Sequence, residues 1–304
     1  MHLNNLYIPS FPLIHMDKKY ITLALMALLL AVSFSPAATQ GATTHYVSEG
    51  ESIQDAITGA APGDTIVIGP GEYSVGQLFV NKALTLQGSG AEDTVLYGSI
   101  ILTSLPVADG QVPPHEYNTI SAITIDNIGQ SGAAVRIATG STTPAQDMDG
   151  GPYYLSNVLV TDCIIWSVEG IYLGCVERAE VRTTQLYGFE ISKEVPPEGV
   201  LDGDVLAECG IHTDMCGTVS ISSNCLMGFF GTGIWTENCS AVRIVNNIVF
   251  GCDRYGISAD GTSVMATNNT LVSNNSAIGV RSVTAAVANN ITYPPFVLLQ
   301  PGQR

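Results

Sequence analysis

Gly210-Ile211-His212-Thr213-Asp214, Gly233-Ile234-Trp235-Thr236-Glu237, Gly256-Ile257-Ser258-Ala259-Asp260 and Gly279-Val280-Arg281 open four successive segments of the chain, 23 residues apart at every step. An earlier Gly170-Ile171 fits the same series if one insertion precedes Gly210. Inside each segment apolar residues alternate in three short bursts: Ile211/Thr213, Val219/Ile221 and Cys225/Met227, then Ile234/Thr236, Val242/Ile244 and Ile248/Phe250. Alternation of period two in three bursts per repeat predicts three short strands per coil. A helical solenoid would need longer segments at period 3.6, and the sequence has none. One coil cannot bury its own inner face, so coils must stack, about 4.8 Å apart, with each strand pairing to its equivalent above and below. Asn224, Asn247, Asn269 and Asn290 recur at one turn of each coil, where stacked amides can bond along the axis. The fold expected is all-β, a single-stranded right-handed parallel β-helix solenoid.

Working outward toward the N-terminus, Ile53, Ala56, Ile57 and Ala60 fall on one helical face behind Ser52, a suitable N-cap. A short capping helix there would cover the open strand edge at the end of the solenoid. Pro62-Gly63-Asp64-Thr65-Ile66-Val67-Ile68-Gly69-Pro70-Gly71-Glu72-Tyr73 follows, then Leu84-Thr85-Leu86-Gln87-Gly88 and Thr94-Val95-Leu96-Tyr97-Gly98. This opening, and the Gly-Ile coils with Asn-Asn turns, resemble the pectin-lyase-like β-helix superfamily, in particular its exported archaeal members with NosD-like repeats. The resemblance covers residues 50–293 and speaks to fold more than to chemistry.

The division expected is an upstream extension at 1–15, a signal peptide at 16–41, an N-terminal cap at 42–61, the parallel β-helix at 62–293 and a tail at 294–304, where the sequence offers no cap and suggests truncation. The signal reading rests on Met16-Asp17-Lys18-Lys19, the apolar run from Tyr20 to Phe34 and a small-residue exit. It implies a secreted or cell-surface protein, touching membrane only through an uncleaved signal or a lost C-terminal tether. A formal charge of −16, with 12% charged residues, argues against nucleic acid and anionic lipid as partners. All seven Cys lie between Cys163 and Cys252. Cys216 and Cys239, 23 residues apart, share one column as either a disulfide or a pair of buried thiols.

In the superfamily the resemblance points to, substrate lies along one sheet between long turn loops. Here the loops would be 104–117, 139–157 and 191–208, all rising around the Gly-started sheet. That sheet would present an outward strip two positions after each Gly: Tyr172, His212, Trp235, Ser258 and Arg281, with Tyr172 set apart by the third loop. Asp214, Glu237 and Asp260 would stand alongside. Aromatic faces suit sugar rings and carboxylates suit hydroxyls or a cation, so Tyr172, His212, Trp235 and Arg281 are the expected substrate contacts. Asp214, Glu237, Asp260, His212 and Arg281 are the catalytic candidates. Adjacent carboxylates could recruit Ca2+, as could Asp147 and Asp149 or Asp202 and Asp204 on Gly turns, though neither pair forms a full Ca2+ loop. No motif demands a cofactor. The lyases of the superfamily use Ca2+ with a basic residue, but Lys193, Arg243, Arg254 and Arg281 form no cluster. The paired Asp signature of polygalacturonases is not recognisable either. His45, His115 and His212 lack zinc spacing. Sequons begin at Asn238, Asn268, Asn274 and Asn290. The partner expected is a polysaccharide or cell-surface glycan. It would be held by a carbohydrate-binding or envelope-building protein, or else by a polysaccharide lyase, hydrolase or epimerase.

Overall fold

The computed structural model describes residues 41–103, 117–137, 155–188, 209–293 and 297–299. The leader, the three long loops and most of the tail therefore lie outside the described residues. So do Asp147, Asp149, Asp202, Asp204, His115 and Lys193. What is described is one stack of coils built from 23 strands and one short helix, every strand pairing parallel with its equivalents in neighbouring coils.

Each coil visits three sheets. The Gly-started sheet includes Ile171–Gly174, Ile211–Asp214 and the first part of Ile234–Val245. The second includes Val176–Arg182 and Thr218–Ser222, paired Val219↔Val242 and Ile221↔Ile244. The third includes Gln185–Tyr187, Cys225–Met227 and Ile248–Phe250. Ile171, Ile211, Ile234, Ile257 and Ile278 form one fully buried column. Stacking identical branched side chains a strand spacing apart fills the interior with no polar atoms to satisfy, and each buried Ile contributes about 2 kcal/mol.

The corner between the second and third sheets explains the Asn residues. Its first position takes a left-handed backbone, φ between 48° and 59° at Thr183, Ser223, Asn246, Asn268 and Asn289. Asn tolerates that region better than other non-Gly residues. The next residue points inward, where Asn224, Asn247, Asn269 and Asn290 form a ladder. The Oδ1 atoms of Asn247, Asn269 and Asn290 each accept the backbone N–H and the Nδ2 of the Asn in the preceding coil, at 2.9–3.1 Å, while Asn224 Oδ1 accepts the Thr184 N–H at 3.0 Å. The amides also donate to the carbonyls of Val181, Ile221, Ile244 and Ala266, so the buried corner leaves few backbone groups unmet.

Three expectations change. First, Gly279 does not stack on Gly256. Ile257 pairs with Ile278, Ser258 with Gly279, Ala259 with Val280 and Asp260 with Arg281. Two one-residue deletions cause this. One falls where the ladder shifts between Thr236 and Cys239. The other falls in the turn before Ser276, which pairs with Tyr255 although Cys252 still meets Asn274. The coil from Ile257 to Ile278 is therefore 21 residues long on this sheet, and the Gly-Val at the expected spacing is coincidental. Second, the third sheet has the opposite phase: Leu226 and Val249 face inward, while Met227, Ile248 and Phe250 are 38%, 49% and 41% exposed. Ile248-Val249-Phe250 is apolar throughout, so alternation carries no phase there. Third, coil stacking begins ahead of the capping helix, because Thr44–Val47 already pairs with Thr65–Ile68.

The helix is Ile53–Gly59, with Ser52 Oγ accepting from the Asp55 N–H at 3.1 Å. Ile53 and Ile57 seal the core. Gln54 bonds both the N–H and the carbonyl of Phe79, closing part of the open edge of Gly71–Val80. Behind it Asp64 accepts from the backbone N–H groups of Thr43 and Ala61 and meets His45 Nε2 at 2.8 Å. Those partners, Thr43 foremost, hold its carboxyl down at about 2. No helix among the described residues is long and apolar enough to cross a membrane.

Candidate functional site

Along the outward face of the Gly-started sheet, parallel pairing places Arg136, Tyr172, His212, Trp235, Ser258 and Gly279 in one column. In-register neighbours of this kind bring side chains within contact distance. The Arg136 guanidinium sits 5.3 Å from the Tyr172 ring centre, a cation–π contact. Tyr172 meets the His212 ring edge-on at 5.1 Å, and His212 lies flat on Trp235 at 4.3 Å and 5°. Tyr172 therefore does not stand apart: the chain between its coil and that of His212 inserts no extra rung, and the two are direct strand neighbours.

His212 faces outward yet is only 6% exposed, because rings on both sides cover it. Its expected place on an exposed strip is corrected accordingly. Burial lowers its pKa, with Glu237 pulling the other way, and favours neutral imidazole. Nε2 lies 2.9 Å from Glu237 Oε1, and Nδ1 is buried with no partner. The arrangement fits a neutral ring that donates from Nε2 to an ionised Glu237. Asp214, likewise expected exposed, is 8% exposed, and its Oδ1 accepts from Asn238 Nδ2 at 2.9 Å.

Arg281 belongs elsewhere than expected. The 21-residue coil from Ile257 to Ile278 moves it out of the aromatic column and opposite Asp260, whose Oδ2 it grips at 2.9 Å through Nε and 2.5 Å through Nη2. The acidic residues are thus not a row of equivalent carboxylates: Asp214 is bonded to an amide, Glu237 to an imidazole and Asp260 to a guanidinium. Among the described residues no cluster of three or more His, Cys, Asp or Glu is arranged to hold a metal.

Past Trp235 the column continues in two small residues, Ser258 and Gly279, before Leu298, and that creates the site. One face of Trp235 is covered by His212. On the other side stand Ser258 and Gly279, too small to cover an indole, and the space forms a pocket of about 230 Å³ lined by Trp235, Glu237, Tyr255, Ser258, Asp260 and Arg281 among others. Gly279 lies close under Tyr255: a Cβ there would be 3.0 Å from Tyr255 Cε1, so the tyrosine would have to give by a few tenths of an ångström. The sequence reading missed Arg136 and Tyr255. Arg136 follows Ala133-Ala134 rather than a Gly, and Tyr255 precedes the Gly on which that reading was anchored. A second pocket, of about 340 Å³, lies beside the capping helix between Ser52, Gln54 and Tyr73 and has no comparable aromatic face.

Cys216 and Cys239 do lie side by side as thiols, each 2% exposed. Of the sequon residues, Asn274 and Asn290 use their amides inside the stack, bonding Val249 and Ala266 carbonyls.

Three kinds of comparison bear on this geometry. Among curated proteins no relative matches. Among solved structures, the PL6 family alginate lyase AlyGC is similar at 13% identity and TM-score 0.43, over 82% of this chain and 39% of that one. The ORF18 protein of Geobacillus virus E2 is similar at 11% identity and TM-score 0.27, over 91% and 64%. A third is titled 1,3-alpha-1,4-beta-D-galactose-4-sulfate-3,6-anhydro-D-galactose-2-sulfate 4 galactohydrolase, at 11% identity and TM-score 0.31, over 82% and 63%. The chain spans about two fifths of the lyase's length, and none of these likenesses assigns it an activity. The model of the right handed beta helix region matches residues 115–292, more than half the chain. With that match and the stacked three-sheet coils, the chain belongs to the right-handed β-helix family.

Proposed function

We propose that this is a secreted or cell-surface β-helix protein that binds a polysaccharide, with one sugar ring seated on the uncovered face of Trp235. The observation that carries the reading is the ending of the aromatic column. His212 fixes the indole from one side, and the other side opens on a pocket whose rim bears Glu237, Ser258, Asp260 and Arg281. Flat apolar contact with a few convergent polar groups is the composition of a sugar site. The stack from Arg136 to Trp235 pre-sets the indole before ligand arrives, which lowers the entropy cost of binding.

Binding is favoured over catalysis for one reason. Of the catalytic candidates, Glu237, Asp260 and Arg281 line the pocket, but Asp260 and Arg281 neutralise one another. His212 and Asp214 are shut behind the indole and the rim. General acid–base work needs groups within reach of the bond to be broken, and two of the five are not. Titration calorimetry against a panel of soluble plant, algal and bacterial polysaccharides tests the reading. Trp235→Ala should weaken binding by about 1 kcal/mol or more, while Phe250→Ala, on the third sheet, should leave it unchanged. Equal affinities for wild type and Trp235→Ala would remove the site from this face.

A further inference from the structure

Resting on that reading, we infer that the Trp235 pocket selects uncharged polysaccharide and rejects polyuronate and sulfated chains. The charges around the pocket are the ground. Among the described residues Arg281 is the one cation lining it, and both hydrogen bonds recorded for it go to a single oxygen of Asp260. Asp260 therefore offsets its charge at the rim, although the guanidinium side chain is 73% exposed. Glu237 receives its bond from His212, whose burial favours the neutral ring, so that partner brings no positive charge to the rim. Asp214, one coil behind, is partnered by the neutral amide of Asn238 and lies outside the pocket lining. Two carboxylates thus line the pocket with one guanidinium, inside a chain of formal charge −16.

A sugar carboxylate or sulfate seated on Trp235 would meet, among the described lining residues, two carboxylates and only a guanidinium already paired to one of them. A low-dielectric indole wall strengthens the repulsion. The hydroxyls of an uncharged sugar meet the opposite circumstance. Glu237 and Asp260 are acceptors, Ser258 is donor and acceptor, and vicinal hydroxyls can donate to a carboxylate in pairs.

The test uses polygalacturonate and the same polymer after carboxyl reduction, which keeps its linkages and removes its charge. Binding is measured by affinity electrophoresis in 150 mM salt with chelator, so that no divalent cation bridges like charges. The carboxyl-reduced polymer should bind at least tenfold tighter than its parent. Asp260→Asn frees Arg281 and should raise affinity for polygalacturonate at least tenfold. The exposed position of that pair makes folding insensitive to the change. Wild-type preference for the charged parent, with Trp235→Ala still abolishing binding, would overturn the selectivity and leave the pocket standing. If neither polymer binds and no uncharged polysaccharide in the wider panel binds either, the pocket reading and the selectivity both fall.

Discussion

Replacing Asn247 with Ala removes four side-chain hydrogen bonds from the middle of the Asn ladder. Two are accepted by Oδ1 from the backbone N–H and the Nδ2 of Asn224, each at 3.0 Å. Two are donated by Nδ2, to the Ile221 carbonyl at 2.9 Å and to Asn269 Oδ1 at 3.1 Å. At a net value of about 1 kcal/mol each, the direct loss is about 4 kcal/mol. The Asn224 N–H then lies buried without an acceptor, since Asn224 is 2% exposed, which works against relaxation. Asn246, one residue earlier, gives the contrast. It is exposed, sits at φ 59° and supplies no rung of the ladder. Asn246→Ala should cost about 1 kcal/mol for the left-handed backbone, and Asn246→Gly almost nothing. Urea unfolding at pH 7, with the denaturant slope checked for constancy, gives the three values. If Asn247→Ala cost less than Asn246→Ala, the ladder would be a consequence of the coil rather than a cause of its stability.

The remaining predictions concern other parts of the stack. Because Asp64 is held at about 2 against an ordinary 3.8, its contribution to folding is complete above pH 3.8 and is lost as pH falls toward 2. Amide exchange in residues 43–66 should accelerate between pH 4 and pH 2, and Asp64→Asn should show that faster exchange already at pH 6; unchanged exchange would refute the role of the clasp. Five of the seven cysteines are buried and only Cys175 and Cys225 are half-buried, so a thiol reagent should titrate at most two quickly in the native protein and seven after unfolding under reducing conditions. A third fast thiol would mean the coils are looser than described. Gly279→Ala should shift Tyr255 by a few tenths of an ångström and weaken glycan binding slightly, with little change in melting temperature, read by calorimetry; unchanged affinity would take Tyr255 out of the pocket wall.

The solenoid was legible because its cause is periodic. Ile211, Ile234 and Ile257 repeat at the coil length, and each must meet its equivalent for any of them to be buried. The Asn corner was legible for the same reason, since an inward amide is satisfied only by another amide a coil away. Register failed where periodicity lost its physical anchor. A one-residue deletion at a corner costs a solenoid little, because the flanking strands re-pair in phase, yet it displaces every later residue in a count. Gly279 and Val280 kept the expected spacing only because two such deletions moved them past their places. The third sheet's phase was illegible because Ile248-Val249-Phe250 offers an apolar residue to either side.

The site was half legible, and the missing half is a matter of neighbours rather than of identity. Alternation located Tyr172, His212 and Trp235 on the outer face, and outward was taken to mean exposed. On a stacked parallel sheet an outward side chain has neighbours about 4.8 Å away on both sides. Three ring-bearing residues in successive coils therefore cover each other, and the middle one is buried. By the same logic the exposed apolar face must appear where a run of rings stops, so the informative residues for binding are the small ones that follow it. Ser258 and Gly279 carry no chemistry that a motif search would notice. They nevertheless decide that Trp235 faces a pocket while His212, one coil earlier, faces only its neighbours.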